Sequence, residues 1–103
     1  MLSSCIIVGR VKEKPEIRTT SKGNTIAYML VEVDRPFRNE DGTLTTDTFR
    51  VVLWRGIAEE CAEHCLPGSV VAIRGRLQSS AFEKEENVYY NCEVIAEKVT
   101  HIR

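Results

Sequence analysis

Apolar residues in this chain recur with a period of two in five separate runs, and that rhythm limits the fold more than any other feature. The runs are "SCIIVGRV" (4–11), "NTIAYMLVEVDR" (24–35), "TFRVVLWR" (48–55), "SVVAIRGRL" (69–77) and "VYYNCEVIAEKV" (88–99), and each reads as a β-strand. Gly and polar clusters divide them: "SKGN" at 21–24, "NEDG" at 39–42, "PG" at 67–68 and "EKEEN" at 83–87. The first run is apolar on both faces, which predicts a strand buried on both sides. One segment departs from the pattern. In "GIAEECAEHCLPG" (56–68), Ile57, Ala58, Cys61, Ala62 and Cys65 form one helical stripe, with Glu59, Glu60 and Glu63 on the other side. Pro67 and Gly68 close that helix.

Three strands, a short helix and two strands make the element order of an all-β OB-fold. This is a five-stranded Greek-key barrel whose second and third strands, with the long loops, bind oligonucleotides or oligosaccharides. A different small barrel or an α+β sandwich is compatible with the same order. The 103 residues suit a single domain spanning 1–103. No internal repeat, linker or low-complexity segment interrupts it.

Charge by itself points to no polyanion. Lys and Arg total 14 against 15 Asp and Glu, for a net charge of −1. The positive residues are weakly concentrated in the first half, so a basic patch requires segregation on the folded surface. The short apolar run before Arg10 is too short for a signal-peptide core or a membrane span, so a cytoplasmic location without membrane contact is expected. In a reducing compartment Cys5, Cys61, Cys65 and Cys92 are expected to be free thiols.

The third run raises the functional question. Phe49, Val51 and Leu53 share one face and are expected inside the barrel, with Phe49 in the core or in a subunit contact. Thr48, Arg50, Val52 and Trp54 then face outward. In the fourth run Val71, Ile73, Gly75 and Leu77 point inward, leaving Arg74 and Arg76 outside with Val70 and Ala72. A surface Trp between Arg50 and Arg55, near Arg74 and Arg76, suits single-stranded nucleic acid. Unpaired bases stack on aromatic faces while guanidinium groups meet phosphates. Phe37 lies between Arg35 and Arg38 in an expected long hairpin arm, and Phe82 lies in the hairpin after the fourth strand. Each residue also has a plainer role open to it. Trp54 can lie under the helix or in a subunit contact, Phe37 can anchor its loop, and alternate arginines are commonly a solvated face.

At "IIVGRV", "KPEIR", "GNTIAYMLVEVDRPF", "DTFRVVLWRGIAEE", "PGSVVAIRGRLQ" and "NCEVIAEKV" the chain resembles the bacterial single-stranded DNA-binding proteins. The likeness runs from about Cys5 to Ile102. It implies base stacking by Trp54, Phe37 and Phe82, and phosphate contacts from Arg10, Arg35, Arg38, Arg50, Arg55, Arg74 and Arg76. It also implies a homo-oligomer, with a tetramer favoured and a dimer possible, that coats exposed strands during replication, recombination or repair. Three departures stand out. Thr48 occupies a position where the family usually has an aromatic, with Phe49 beside it on the opposite face. "QSSA" precedes Phe82 where the family tends to be basic. The family's Gly/Gln/Pro-rich tail with its acidic tip, which recruits replication and repair proteins, does not follow Arg103. That leaves either a DNA-binding core of a longer protein or a naturally tail-less relative.

Two alternatives remain open at this level. One is a tail-less, dimeric primosome accessory protein of the same fold, which would bind single strands and a helicase-loading partner. The other is a protein- or sugar-binding barrel that does not touch nucleic acid. Neither Ser3 and Ser4 nor His64 and His101 build a nucleophile–base pair, and no Walker-type loop is present, so no enzyme and no cofactor is expected. Cys61, His64 and Cys65 are close in sequence, but two of the three lie on the apolar stripe. Buried thiols, with no metal, are therefore expected.

Overall fold

Sinking the Ala27/Met29/Val31 face of a long strand requires a wall on its other side, and the chain supplies one by curling its sheet closed. The computed structural model describes residues 1–103. Its elements are β1 (Cys5–Val11), β2 (Glu16–Thr19), β3 (Thr25–Arg38), β4 (Leu44–Trp54), α1 (Arg55–His64), β5 (Val70–Lys84) and β6 (Asn87–His101). The sheet order is β1-β5-β6-β4-β3-β2, and β1 returns to pair with β3 through Arg10↔Glu32 and Val11↔Val31. Five strands thus close a barrel, as the alternation predicts. Only the β4–β6 seam is parallel, held at Val51↔Val94 and Val52↔Ile95.

The sixth strand, β2, is absent from the sequence expectation. Its four residues are all exposed and it pairs only with β3, from Glu16↔Tyr28 to Thr19↔Thr25. It lies on the same edge of β3 that β1 uses further along, so it widens the sheet outside the barrel rather than adding a barrel strand. The helix therefore falls between the fourth and fifth strands in the observed count.

Thirteen residues form the core, among them Met29, Val31, Val51, Leu53, Ile73 and Val94, and α1 closes one end of it with Ala58, Cys61 and Cys65. Removing each large aliphatic side chain from water contributes roughly 1.5–3 kcal/mol. Two glycines let the strands cross tightly enough. A Cβ on Gly9 would meet Glu32 O and the Val31 side chain, and one on Gly75 would meet Ile95 O, in both cases inside contact distance. Gly75 stands at a register shift between β5 and β6, opposite the bulge at Glu97 that bends β6 around the barrel.

Three facing expectations need correction. Ile6 and Val8 on β1 are 75% and 52% exposed, so that strand is buried on one face only. Phe49 is exposed rather than in the core, although it shares a face with Val51 and Leu53. The β4–β6 seam is registered only at Val51 and Val52, so Phe49 pairs with Val31 of β3 but lies beyond the seam with β6. Leu77 is exposed as well: it stands opposite Val94 at the last β5–β6 pair still joined to β4, and beyond it the two strands leave the barrel as an arm.

All four cysteines are free thiols. Cys61 and Cys65 are buried, and Cys65 N–H donates to Cys61 O at the helix end. Burial, reinforced by the neighbouring Cys65, pushes the Cys61 thiol up to about 12 from an ordinary 9.0. The folded chain therefore keeps a proton that the unfolded chain loses above pH 9.0, so this contribution to stability is intact below that value and drains away as pH rises toward 12. Ellman titration at pH 8 is expected to label exposed Cys92 at once and Cys61 and Cys65 only after denaturant is added. Fast labelling of all four thiols in the native protein would contradict this packing.

Candidate nucleic-acid interface

β4 carries the centre of the site because its outward residues fall beside those of three other strands. Across β3 and β4, Ile26 opposes Trp54, Tyr28 opposes Val52 and Leu30 opposes Arg50. Across the parallel seam Val52 meets Ile95, and Ile95 meets Arg76 on β5. Ile26, Val52 and Ile95 form a small apolar floor of their own on this outer surface, separate from the barrel core. Val52 is outward as expected from the alternation, yet buried in that floor.

Trp54 stands on the surface at the strand–helix junction and is 37% exposed. It is the N-cap of α1, with extended backbone, and the next residue takes the turn: Arg55 has φ +53. A left-handed L-residue is disfavoured by roughly 1–2 kcal/mol. Here it swings the chain under the barrel while the indole stays outside.

Beyond the barrel two hairpin arms extend the surface. The β3–β4 arm carries Phe37, 60% exposed, and turns at 39–43, where Gly42 has φ +85. Arg38 Nη1 donates to Gly42 O at 2.9 Å, so its guanidinium braces the turn. Thr43 donates to Asp41 Oδ1 from both its amide and its hydroxyl, and these bonds lower the Asp41 pKa. The β5–β6 arm carries Phe82 opposite Tyr89, with the two rings stacked at 5.4 Å between centroids. Glu85 and Glu86 make its two-residue turn, with φ +51 and +67, where Asn-Gly is the usual choice.

The expected cations are less free than their positions suggest. Arg10 holds Asp34 through two bonds of 2.6 and 3.1 Å, and Arg35 holds Asp47 through bonds of 2.9 to 3.3 Å. Each guanidinium keeps its partner's carboxyl below the usual carboxylate range, mainly by direct hydrogen bonding. Asp47 lies on the side of β4 that carries Phe49, so the Arg35 pair faces away from Trp54. Arg50 Nε approaches Glu93 Oε2 at 3.2 Å, an ion pair without hydrogen-bond alignment, and that oxygen has no hydrogen-bond partner. Arg76 donates to Gln78 Oε1 at 3.0 Å. Arg74 lies between Ile6 of β1 and Lys98 of β6, with no carboxylate partner, and Arg55 is likewise unpaired.

Trp54, Arg50 and Arg76 therefore share one surface, Phe82 lies out along the β5–β6 arm, and Phe37 lies on the other arm. Sequence reasoning missed Tyr28, whose ring lies under the Arg50 guanidinium at 3.9 Å to the centroid, and Tyr89 beside Phe82. Parity alone places Tyr28 with Ile26 on the side opposite Ala27 and Met29. What was missing was the register that sets it beside Trp54.

Known proteins share this fold and sequence. The family model described as "Single-strand binding protein family" matches residues 2–102. The chain belongs to that family. Among single-strand binding proteins, Single-stranded DNA-binding protein B of Bacillus subtilis (strain 168) is 38% identical over 100 residues, covering 96% of this chain and 88% of the relative. The Single-stranded DNA-binding protein of Oceanobacillus iheyensis is 36% identical, covering 96% of this chain but 62% of its own length. A solved structure titled "Plasmodium falciparum SSB complex with ssDNA" superposes with a TM-score of 0.85. It is 19% identical and covers 100% of this chain and 96% of that one, which establishes the shared fold.

Proposed function

We propose that this chain binds single-stranded DNA without sequence preference, stacking bases on Trp54, Phe37 and Phe82 and meeting phosphates with arginines of the same surfaces. The observation that carries this is the exposed indole on an apolar floor beside Arg50 and Arg76. A floor of Ile26, Val52 and Ile95 supports a flat ring from below, and stacking on such a ring is indifferent to base identity. Family membership and the names of its relatives support the same ligand. Binding of this kind is non-catalytic and serves to coat strands exposed in replication, recombination or repair within the cytoplasm. No helix is long and apolar enough to cross a membrane.

The protein acts as a homo-oligomer in this proposal, with the tetramer favoured over the dimer. Ile6 and Val8 support association, since two exposed aliphatic side chains stand two residues apart on a barrel strand. A dimeric adaptor of the same fold would use the same surface, and light scattering separates the two states.

Titrating oligo-dT into the protein at two salt concentrations, with duplex as control, tests the ligand. The chain has one Trp, so fluorescence excited selectively at the indole reports on Trp54 alone. Quenching by oligo-dT but not by duplex is expected, with log K falling against log salt by about 0.7 for each phosphate contacted. Binding with no change in Trp54 emission would remove the indole from the site, and no binding would leave a protein-binding barrel.

A further inference from the structure

The face of β3 between β2 and β4 holds a pocket of about 400 Å³, to which Arg50 alone of the expected contacts contributes. Its lining includes Glu13, Lys14, Glu16, Arg18, Tyr28 and Arg50. We propose that this pocket is an additional nucleotide subsite, in which a base stacks on Tyr28 and the adjoining phosphodiester is held by Lys14, Arg18 and Arg50. The inference rests on the single-stranded DNA proposal above, and extends the path of the strand past Trp54 toward β2.

Register places the parts. Arg18, Ile26 and Trp54 form one row across β2, β3 and β4, and Glu16, Tyr28 and Val52 form the next. Tyr28 and Trp54 are thus diagonal neighbours on one face, with backbones roughly 7–8 Å apart, close enough for two consecutive platforms. Tyr28 is as exposed as Trp54, at 37% each. The Arg50 guanidinium covers its ring at 3.9 Å. An exposed cation–π contact is weaker than base–aromatic stacking, so an arriving base displaces Arg50 from the ring. Arg50 then stands beside the base, where the phosphate lies.

The charges in the pocket are arranged to fit. Lys14 and Arg18 make no ion pair, unlike Arg10, Arg35 and Arg50. Lys14 and Arg18 offset Glu13 and Glu16, and Arg50 tips the pocket positive once a phosphate draws it from Glu93. Glu16 lies directly opposite Tyr28 and turns the phosphate toward the basic side chains. β2 is needed for this wall, and every one of its residues is exposed, so β2 contributes little to the barrel core.

Photo-crosslinking tests the subsite, using the full chain and oligo-dT carrying 5-iododeoxyuridine. A crosslinked peptide containing Tyr28 is expected, alongside one containing Trp54. Tyr28→Phe is expected to preserve affinity and Tyr28→Leu to weaken it about tenfold. Arg18→Gln is expected to reduce the salt slope by about 0.7 with no change in Tm, a signature that a structural role would not give. Crosslinks that omit Tyr28, with Tyr28→Leu and Arg18→Gln binding like the wild type, would overturn the subsite while leaving the main groove standing. Failure of the wild type to bind oligo-dT at all would instead overturn the parent proposal, and the subsite with it.

Discussion

Trp54→Ala is expected to weaken oligo-dT binding roughly 5- to 150-fold, the range for losing one base–aromatic stack. Trp54 opposes Ile26 at the edge of the outer apolar floor and lies outside the thirteen-residue core. Its loss should therefore cost far more affinity than stability. Fluorescence anisotropy with a labelled oligo-dT, paired with thermal melts, checks both quantities. Near-wild-type affinity in the folded variant would mean that the strand takes another path.

The second large effect concerns the barrel itself. Gly75→Ala is expected to destabilise the fold by about 2–4 kcal/mol, because the new methyl would press on the backbone of β6 rather than on a yielding side chain. For a domain of this size that corresponds to a fall in Tm of roughly 10–25 °C. By contrast, Gly56→Ala meets nothing within 4 Å and is expected to leave the melt almost unchanged. A Gly75→Ala protein melting like the wild type would show that β5 and β6 can separate at the bulge without cost.

The fold was legible in the sequence wherever alternation met punctuation. Five runs became the five barrel strands, and the Ile57/Ala58/Cys61/Cys65 stripe became the plug at the barrel's end. The "NEDG" cluster became the turn at 39–43, and "EKEEN" became the turn of the second arm. β2 was not legible, since "EIRT" is short, wholly exposed and held only by its partner. Facing was readable but depth was not. Alternation assigns Phe49 and Leu77 to the inward side, but only closure decides where the inside ends.

The same division runs through the site. Phe82 was visible as an aromatic on a polar hairpin, while its stacking against Tyr89 depends on arm register. Arg10 reads as a free cation until its partner, 24 residues away in sequence, is located in space. Tyr28 reads as an ordinary strand residue until β4 sets Trp54 diagonally beside it.

Those pairings of arginine with aspartate or glutamate have a consequence for how the protein would let go of DNA. Arg10 and Arg50, two of the proposed phosphate contacts, carry tethered counterions, so a departing phosphate would be replaced at once by a carboxylate of the same molecule. An exposed pair of this kind is weak enough to yield and near enough to return. On the proposed function, each such arginine would exchange its phosphate for a ready substitute rather than for bare solvent, and a bound strand would peel off nucleotide by nucleotide instead of leaving all at once.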